Sequence, residues 1–289
     1  MGTLDGRIAI VTGAGRGIGR EHALLFASEG AKVLVNDLGG SNDGSGSDAG
    51  PAQHVADEIN SAGGTASWNT DDVSSWAGAK SLIDQAVHEF GGLDILVNNA
   101  GILRDAFLPT IEEQQWDAVV QVVLKGTAAP IHYASAYWKE QSKAGKLVNA
   151  SIINTASASG TFMPNPGQAN YGAAKAAVAA LTLVAAAELE RYGVRANVIA
   201  PIARTRLTLA TPGMGAIFAQ EVEDGEFDAF HLVHISPIVA RLAAADCQLT
   251  GKFFAIQGGV IQEMAGWHEG AMIETDGPWN LADLADRIG

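Results

Sequence analysis

The 289-residue chain has one cysteine, Cys247, so no internal disulfide can staple it. Charge is also scarce. Asp, Glu, Lys and Arg make up 17% of residues, against about 25% in an average protein. Basic side chains are outnumbered, with 18 Lys and Arg against 32 Asp and Glu and a formal net charge of -14. Such a surface repels phosphate backbones, which argues against a nucleic-acid partner. No apolar run reaches the roughly 18 residues of a membrane span. The N-terminal apolar stretch from Ile8 to Val11 is too short for a signal-peptide core and has no small-residue cleavage pattern after it. A soluble, cytoplasmic protein without a membrane partner is expected. The seven His are scattered, and His231 and His234 have no acidic or Cys companion nearby, so no metal site is expected.

What the chain does have is apolar material, 47% of its residues, enough for one sizeable core. Short β-branched runs alternate with longer helical patterns. Strands are predicted over 7–12, 32–36, 65–69, 93–98, 148–155, 195–200 and 253–257, and helices over 17–29, 51–61, 76–90, 111–143, 168–192 and 237–244. That alternation implies βαβ units, hence an α/β fold with a parallel sheet. Nearly all-apolar strands such as Ile95-Leu96-Val97 suit a sheet covered on both faces. The helix over 168–192 is small and apolar almost all round, which predicts a subunit contact and a homo-oligomer. The segment 39–50, rich in Gly, Ser, Asn and Asp, is expected to be a flexible loop. The irregular stretch 203–230 is expected to be a lid. With no repeat and no linker, one domain spanning 1–289 is expected.

Between the first strand and first helix lies Thr12-Gly13-Ala14-Gly15-Arg16-Gly17-Ile18-Gly19. Gly13, Gly15, Gly17 and Gly19 allow a tight turn and close approach of backbone to a pyrophosphate, which the helix N-terminus then faces. Arg16 and Ile18 complete this loop. The second strand ends at Asp37, whose carboxylate can accept from both hydroxyls of an adenosine ribose and would repel a 2′-phosphate. NAD is therefore expected over NADP. Arg16 is the opposing cue, and no second basic residue flanks Asp37 in the chain. Asp72-Val73 can meet the adenine, and Asn99-Ala100-Gly101 at the end of the fourth strand leaves room for ribose and ring.

Tyr171 and Lys175 stand at i and i+4 at the start of a helix and share one face. A phenol with a pKa of about 10 is a poor base at neutral pH. A neighbouring ammonium and a cationic nicotinamide both favour the phenolate. Ser157, at the end of a buried strand, can donate to a substrate oxygen while Tyr171 takes the proton; Ser159 competes for that role.

T-G-x-x-x-G-x-G, N-N-A-G, S-x-x-G and Y-x-x-x-K occur in order along nearly the whole chain, which resembles the short-chain dehydrogenase/reductase superfamily. The resemblance implies a doubly wound Rossmann fold of roughly seven parallel strands, a dimer or tetramer, and hydride transfer between nicotinamide and a secondary alcohol carbon. It makes Tyr171 the acid–base and Lys175 the holder of the nicotinamide ribose. Ser157 becomes the orienter of the substrate oxygen, and Pro201, Ile202 and Thr205 the nicotinamide-side backbone. The runs from Val35 to Gly40, from Asn98 to Asp105 and from Gly167 to Tyr171 are similar to the dehydrogenase part of the peroxisomal multifunctional enzymes. That group implies a (3R)-hydroxyacyl-CoA or hydroxysteroid substrate. Either needs an apolar pocket, for which Met163, Met214, Phe218 and Trp267 are candidates, while Arg204 and Arg206 are candidates for a CoA phosphate. The acidic net charge mildly favours the less anionic steroid.

Three departures stand out. Val123 occupies the usual Asn position, three residues before Gly126; Pro201-Ile202 replaces Pro-Gly; and the spacing from Ser157 to Tyr171 is one residue longer than is commonest. Two other readings stay open: an NADPH-dependent ketoacyl reductase, and a cofactor-binding sensor without turnover.

Overall fold

The computed structural model describes residues 2–288 apart from 212–214, 221, 224, 267 and 280. Met214 and Trp267, both pocket candidates, lie outside the described residues.

Eight strands form one sheet: β1 (Ile8–Thr12), β2 (Lys32–Asn36), β3 (Thr65–Asn69), β4 (Ile95–Asn98), β5 (Ala150–Thr155), β6 (Val194–Pro201), β7 (Phe253–Gln257) and β8 (Val260–Glu263). Their order is β3-β2-β1-β4-β5-β6-β7-β8, parallel except for β8. The chain winds outward in both directions from β1, which pairs with β2 on one side and β4 on the other. A ligand crevice opens at that switch point, beyond the carboxyl ends of the strands.

The helices are α1 (Gly17–Ser28), α2 (Gly50–Ser61), α3 (Trp76–Phe90), α4 (Glu113–Val119), α5 (Gly126–Lys143), α6 (Ala169–Leu189), α7 (Arg206–Ala210), α8 (Gly215–Phe218), α9 (Ser236–Ala243) and α10 (Leu281–Ile288). One core joins α1, α2 and α9 to one face of the sheet through Phe26, Ile59 and Val239. The other joins α3, α5 and α6 to the opposite face through Leu82, Trp138 and Leu189. Trp138 is fully buried, and its indole N–H donates to the Leu93 carbonyl at 2.7 Å, so its polar atom carries no desolvation penalty.

Four expectations need adjustment. The sheet has eight strands, because the exposed β8 runs antiparallel to β7 after a Gly258-Gly259 turn. The continuous helix over 111–143 is instead α4, a π-helical turn (Val120–Lys125) and α5. A π turn inserts an extra residue without changing the hydrophobic character of the run, so periodicity does not reveal it. The helix over 168–192 is α6 plus a final 3-10 turn, Glu190–Tyr192. It is long and apolar enough for a membrane span by length and a mean hydropathy of 1.5, yet here it covers β5 and β6. Lastly, the glycine-rich segment after β2 is a pinned strap. Its Asn42 carbonyl accepts from Leu103 N–H at 2.9 Å, and the Asp43 carbonyl accepts from Arg104 Nε at 2.8 Å.

Candidate active site

The crevice is a cleft of about 530 Å³, within the size range of small-molecule sites. Gly13 shows why its floor needs glycine. Its φ is +62°, and a Cβ there would stand 2.8 Å from the Ala100 Cα. Asn99 knits the same loop to β4, donating through Nδ2 to the Thr12 and Gly13 carbonyls at 3.1 Å each. Its amide is therefore a loop brace. The Thr12 hydroxyl accepts from the Asn99 and Ala100 N–H groups at 3.0 and 3.1 Å.

At the β2 end of the cleft, Asp37 Oδ2 accepts from Gly15 N–H at 2.9 Å and Oδ1 from Gly39 N–H at 2.7 Å. Each oxygen keeps a lone pair for a ribose hydroxyl. The statement that no second basic residue accompanies Asp37 holds only along the chain. In space Arg206, from α7, lies within electrostatic reach of both Asp37 and Arg16, and all three line the cleft. Asp72 spends one oxygen on Ser74, accepting from its N–H at 2.8 Å and its hydroxyl at 2.7 Å. Asp72 and Val73 both line the cleft.

At the opposite end, the first turn of α6 presents Tyr171 and Lys175. The ammonium lies 5.6 Å from the phenol ring centroid and donates to the Thr155 carbonyl at 2.5 Å. Two of its three N–H groups remain available. Burial pushes Lys175 down to about 8. Burial likewise pushes Tyr171 up to about 12; the Ser157 hydroxyl acts against this and the Asp105 carboxylate adds to it. Ser157 thus polarises the phenol without a hydrogen bond of full geometry. The adjacent ammonium does not by itself overcome desolvation, so the protein alone holds Tyr171 neutral. Ser159 N–H donates to Ser157 Oγ at 3.2 Å, which makes Ser159 a support for Ser157.

Gly160 explains the S-x-x-G spacing. Its φ is +81°, and a Cβ would run into the Gly172 carbonyl, so strand end and helix start can meet only through two glycines.

Val123 is fully buried in the π turn, packed with Ile102, Val119, Ala174 and Val178 and flanked by Tyr171. Its carbonyl accepts from Thr127 Oγ1 at 2.7 Å. No polar side chain stands at this position to hold a proton-relay water. Pro201 and Ile202 line the cleft, with Ile202 N–H donating to the Ile256 carbonyl at 2.8 Å. Thr205 lines it too and caps α7, accepting from Thr208 N–H at 3.0 Å.

Met163 and Phe218 line the same cleft as the phenol, Phe218 packing edge-on against Phe230 with centroids 4.9 Å apart. Arg204 is not free for a phosphate. It donates to Asp228 at 2.6 and 3.2 Å and to the Phe218 and Gln220 carbonyls, tying these three residues together. His231 and His234 belong to the same region, His234 Nε2 lying 3.0 Å from the Asp228 carbonyl.

Gly101 and Ile18 also line the cleft, so it gathers the sequence-predicted residues except Gly15, Gly17, Gly19 and Arg204 and the undescribed Met214 and Trp267. Gln168, Asn42 and Asp105 were not foreseen. Their roles arise from contacts between segments far apart in the chain.

The family model for short chain dehydrogenases matches residues 7–211. The chain belongs to the short-chain dehydrogenase family. Its members are oxidoreductases that interconvert hydroxyl and keto groups with a nicotinamide cofactor. This short-chain dehydrogenase is 40% identical to hydroxyacyl-CoA dehydrogenase ChsB1 of Mycobacterium tuberculosis, over 99% of this chain and 88% of that one. It is 41% identical to peroxisomal multifunctional enzyme type 2 of Drosophila melanogaster, over 91% of this chain but 40% of that enzyme. A crystal structure of a short chain dehydrogenase from Mycobacterium avium superposes with a TM-score of 0.88 at 48% identity, covering 99% and 94% of the two chains. The residues fit a dinucleotide: a cradle closed to any Cβ at Gly13, Asp37 with free lone pairs, and Lys175 with two free donors.

Proposed function

We infer that the protein is an NAD-dependent dehydrogenase of (3R)-hydroxyacyl-CoA-type substrates, with Tyr171 as its acid–base. The observation that carries this reading is one continuous cleft lined by Asp37, by Ser157, Tyr171 and Lys175, and by the apolar Phe218. The names of the hydroxyacyl-CoA dehydrogenase and multifunctional-enzyme relatives favour the thioester over the steroid.

A bound nicotinamide supplies the hydride acceptor and a positive ring. Ser157 donates to the substrate oxygen and fixes its position. Tyr171 removes the hydroxyl proton once positive charge enters the cleft and offsets the burial that holds the phenol neutral. Lys175 would hold the ribose hydroxyls through its two remaining N–H groups, while the Thr155 carbonyl accepts from the third. Met163 and Phe218 would give an acyl chain apolar contacts within the cleft.

A second reading, NADPH use, is favoured by Arg206 standing with Arg16 near Asp37. Calorimetric titration with NAD and NADP, for the wild type and Asp37→Ala, decides between them. Tighter NAD binding that is lost in the variant supports the NAD reading; tighter NADP binding unaffected by the variant overturns it. Turnover is then assayed with (3R)-hydroxyacyl-CoAs and with hydroxysteroids. Cofactor binding with no turnover on either would favour a sensor. The solvent-facing Leu183 and Val184 on α6 support a homo-oligomer.

A further inference from the structure

Asp105 lies in the loop after β4, outside the family of groups that the reaction uses directly. Its Oδ2 accepts from Gln168 Nε2 at 2.9 Å, while its Oδ1 is buried without a hydrogen-bond partner. Around this pair the two segments are laced together. Ala106 N–H donates to the Gly167 carbonyl at 2.8 Å, and Asn170 Nδ2 donates to the Arg104 carbonyl at 2.9 Å. Asn170 Oδ1 in turn accepts from Tyr171 N–H at 2.7 Å. The turn that aims the phenol is thus hung from the loop that carries Asp105. Gln168 itself lines the cleft.

We propose that Asp105 is a positioning residue for the reaction: it anchors Gln168 at the head of α6 and sets a negative charge beside Tyr171. The proposal rests on the acid–base role inferred for Tyr171. Few other charges reach the phenol. Lys175 comes from its own helix. The α4 and π-turn side presents Val119, Val122, Val123 and Leu124, and the β5 side presents Ser157 and Ser159, all uncharged. Arg104 turns its guanidinium away to the Asp43 and Gln114 carbonyls. The carboxylate of Asp105 therefore opposes the ammonium of Lys175 and, in agreement, holds the Tyr171 proton more firmly. Burial raises Asp105 itself above the usual carboxylate range, and the Gln168 hydrogen bond acts against this.

The test uses the NAD-bound enzyme. Tyrosinate difference absorbance is followed with rising pH, the Tyr171 signal being the one missing in Tyr171→Phe. The pH profile of kcat/KM is measured with a (3R)-hydroxyacyl-CoA. Asp105→Asn keeps an acceptor for Gln168 and removes the charge. Both the optical titration and the ascending limb of the profile are expected to move down by about one pH unit. Gln168→Ala keeps the charge and cuts the tether; kcat is expected to fall with the limb in place. An unmoved limb in Asp105→Asn, or an equal move in Gln168→Ala, would overturn the proposal. Should Asp105→Asn not fold, Asp105→Ser removes the same charge with less bulk, and the same shift is required of it. Wild-type turnover by Tyr171→Phe would instead remove the acid–base reading, while the optical titration would still report whether Asp105 acts on the phenol.

Discussion

At the scale of single residues, the site works by contrast between burial and charge. Tyr171 and Lys175 sit in the same low-dielectric wall, and burial pushes each toward its neutral form. Chemistry then waits on a charged partner, which ties proton transfer to cofactor occupancy. Tyr171→Phe is expected to lower kcat by about 10²–10⁴-fold, the usual worth of a general acid–base. Calorimetric affinity for NAD should change little, and substantial residual turnover would show that another group is the base. His22 makes a separate prediction about stability. It is fully buried, its Nδ1 lies 2.8 Å from Ser236 Oγ, and desolvation pushes its pKa from 6.5 to about 3. Above pH 6.5 neither folded nor unfolded His22 is protonated, and no penalty applies. As pH falls from there toward 3, the unfolded chain takes up a proton that the fold refuses, so stability is lost across that window. Between pH 7 and pH 4.5 this residue should account for about 2–3 kcal/mol. Urea unfolding at both pH values, with His22→Gln for comparison, measures it; an equal acid loss in both proteins would refute the assignment.

At the scale of elements, two joints hold the catalytic geometry. The first is the contact of Gly160 with Gly172. Gly160→Ala would place a methyl group against a backbone carbonyl at a positive φ. A loss of roughly 1–3 kcal/mol is expected in urea unfolding, with turnover falling because α6 must shift. The second is the Arg204–Asp228 clamp. Arg204→Ala should raise KM more than it lowers kcat, since it frees the cleft-lining Phe218 without touching the phenol; steady-state kinetics checks the split. The elements were largely legible from pattern. The β-branched runs located β1 to β7, and glycine spacing placed the cofactor loop, because both signals come from local sterics and burial period. The exceptions had physical causes. The π turn hides inside an unbroken apolar run, and β8 has all four residues exposed. The strap is ordered by backbone hydrogen bonds that composition does not encode. Site residues were legible where they sit beside glycine or at i and i+4. Gln168 and Asp105 were not read as parts of the site, and Arg206 was read for a CoA phosphate rather than beside Asp37, because only tertiary packing brings them to these places.

At the scale of the whole molecule, an acidic chain presents an apolar helix to solvent. Val184 on α6 is 53% exposed, and Leu183 beside it is 42% exposed. If that face joins copies of the chain, Val184→Glu should shift the mass found by light scattering toward monomer, while the fold seen by circular dichroism stays unchanged. An unaltered mass would place any subunit contact elsewhere. The strap between β2 and α2 has a kinetic consequence. Its Asn42 carbonyl accepts from Leu103 N–H and its Nδ2 donates to the Arg206 carbonyl at 3.3 Å, and Asn42, Leu103 and Arg206 line the same cleft as Asp37. Escape of a dinucleotide held by Asp37 would require those latches to part, whereas hydride transfer would not. Catalysis on an acyl thioester should therefore begin with a rapid first turnover in stopped flow and then slow to the pace at which the spent cofactor is let go.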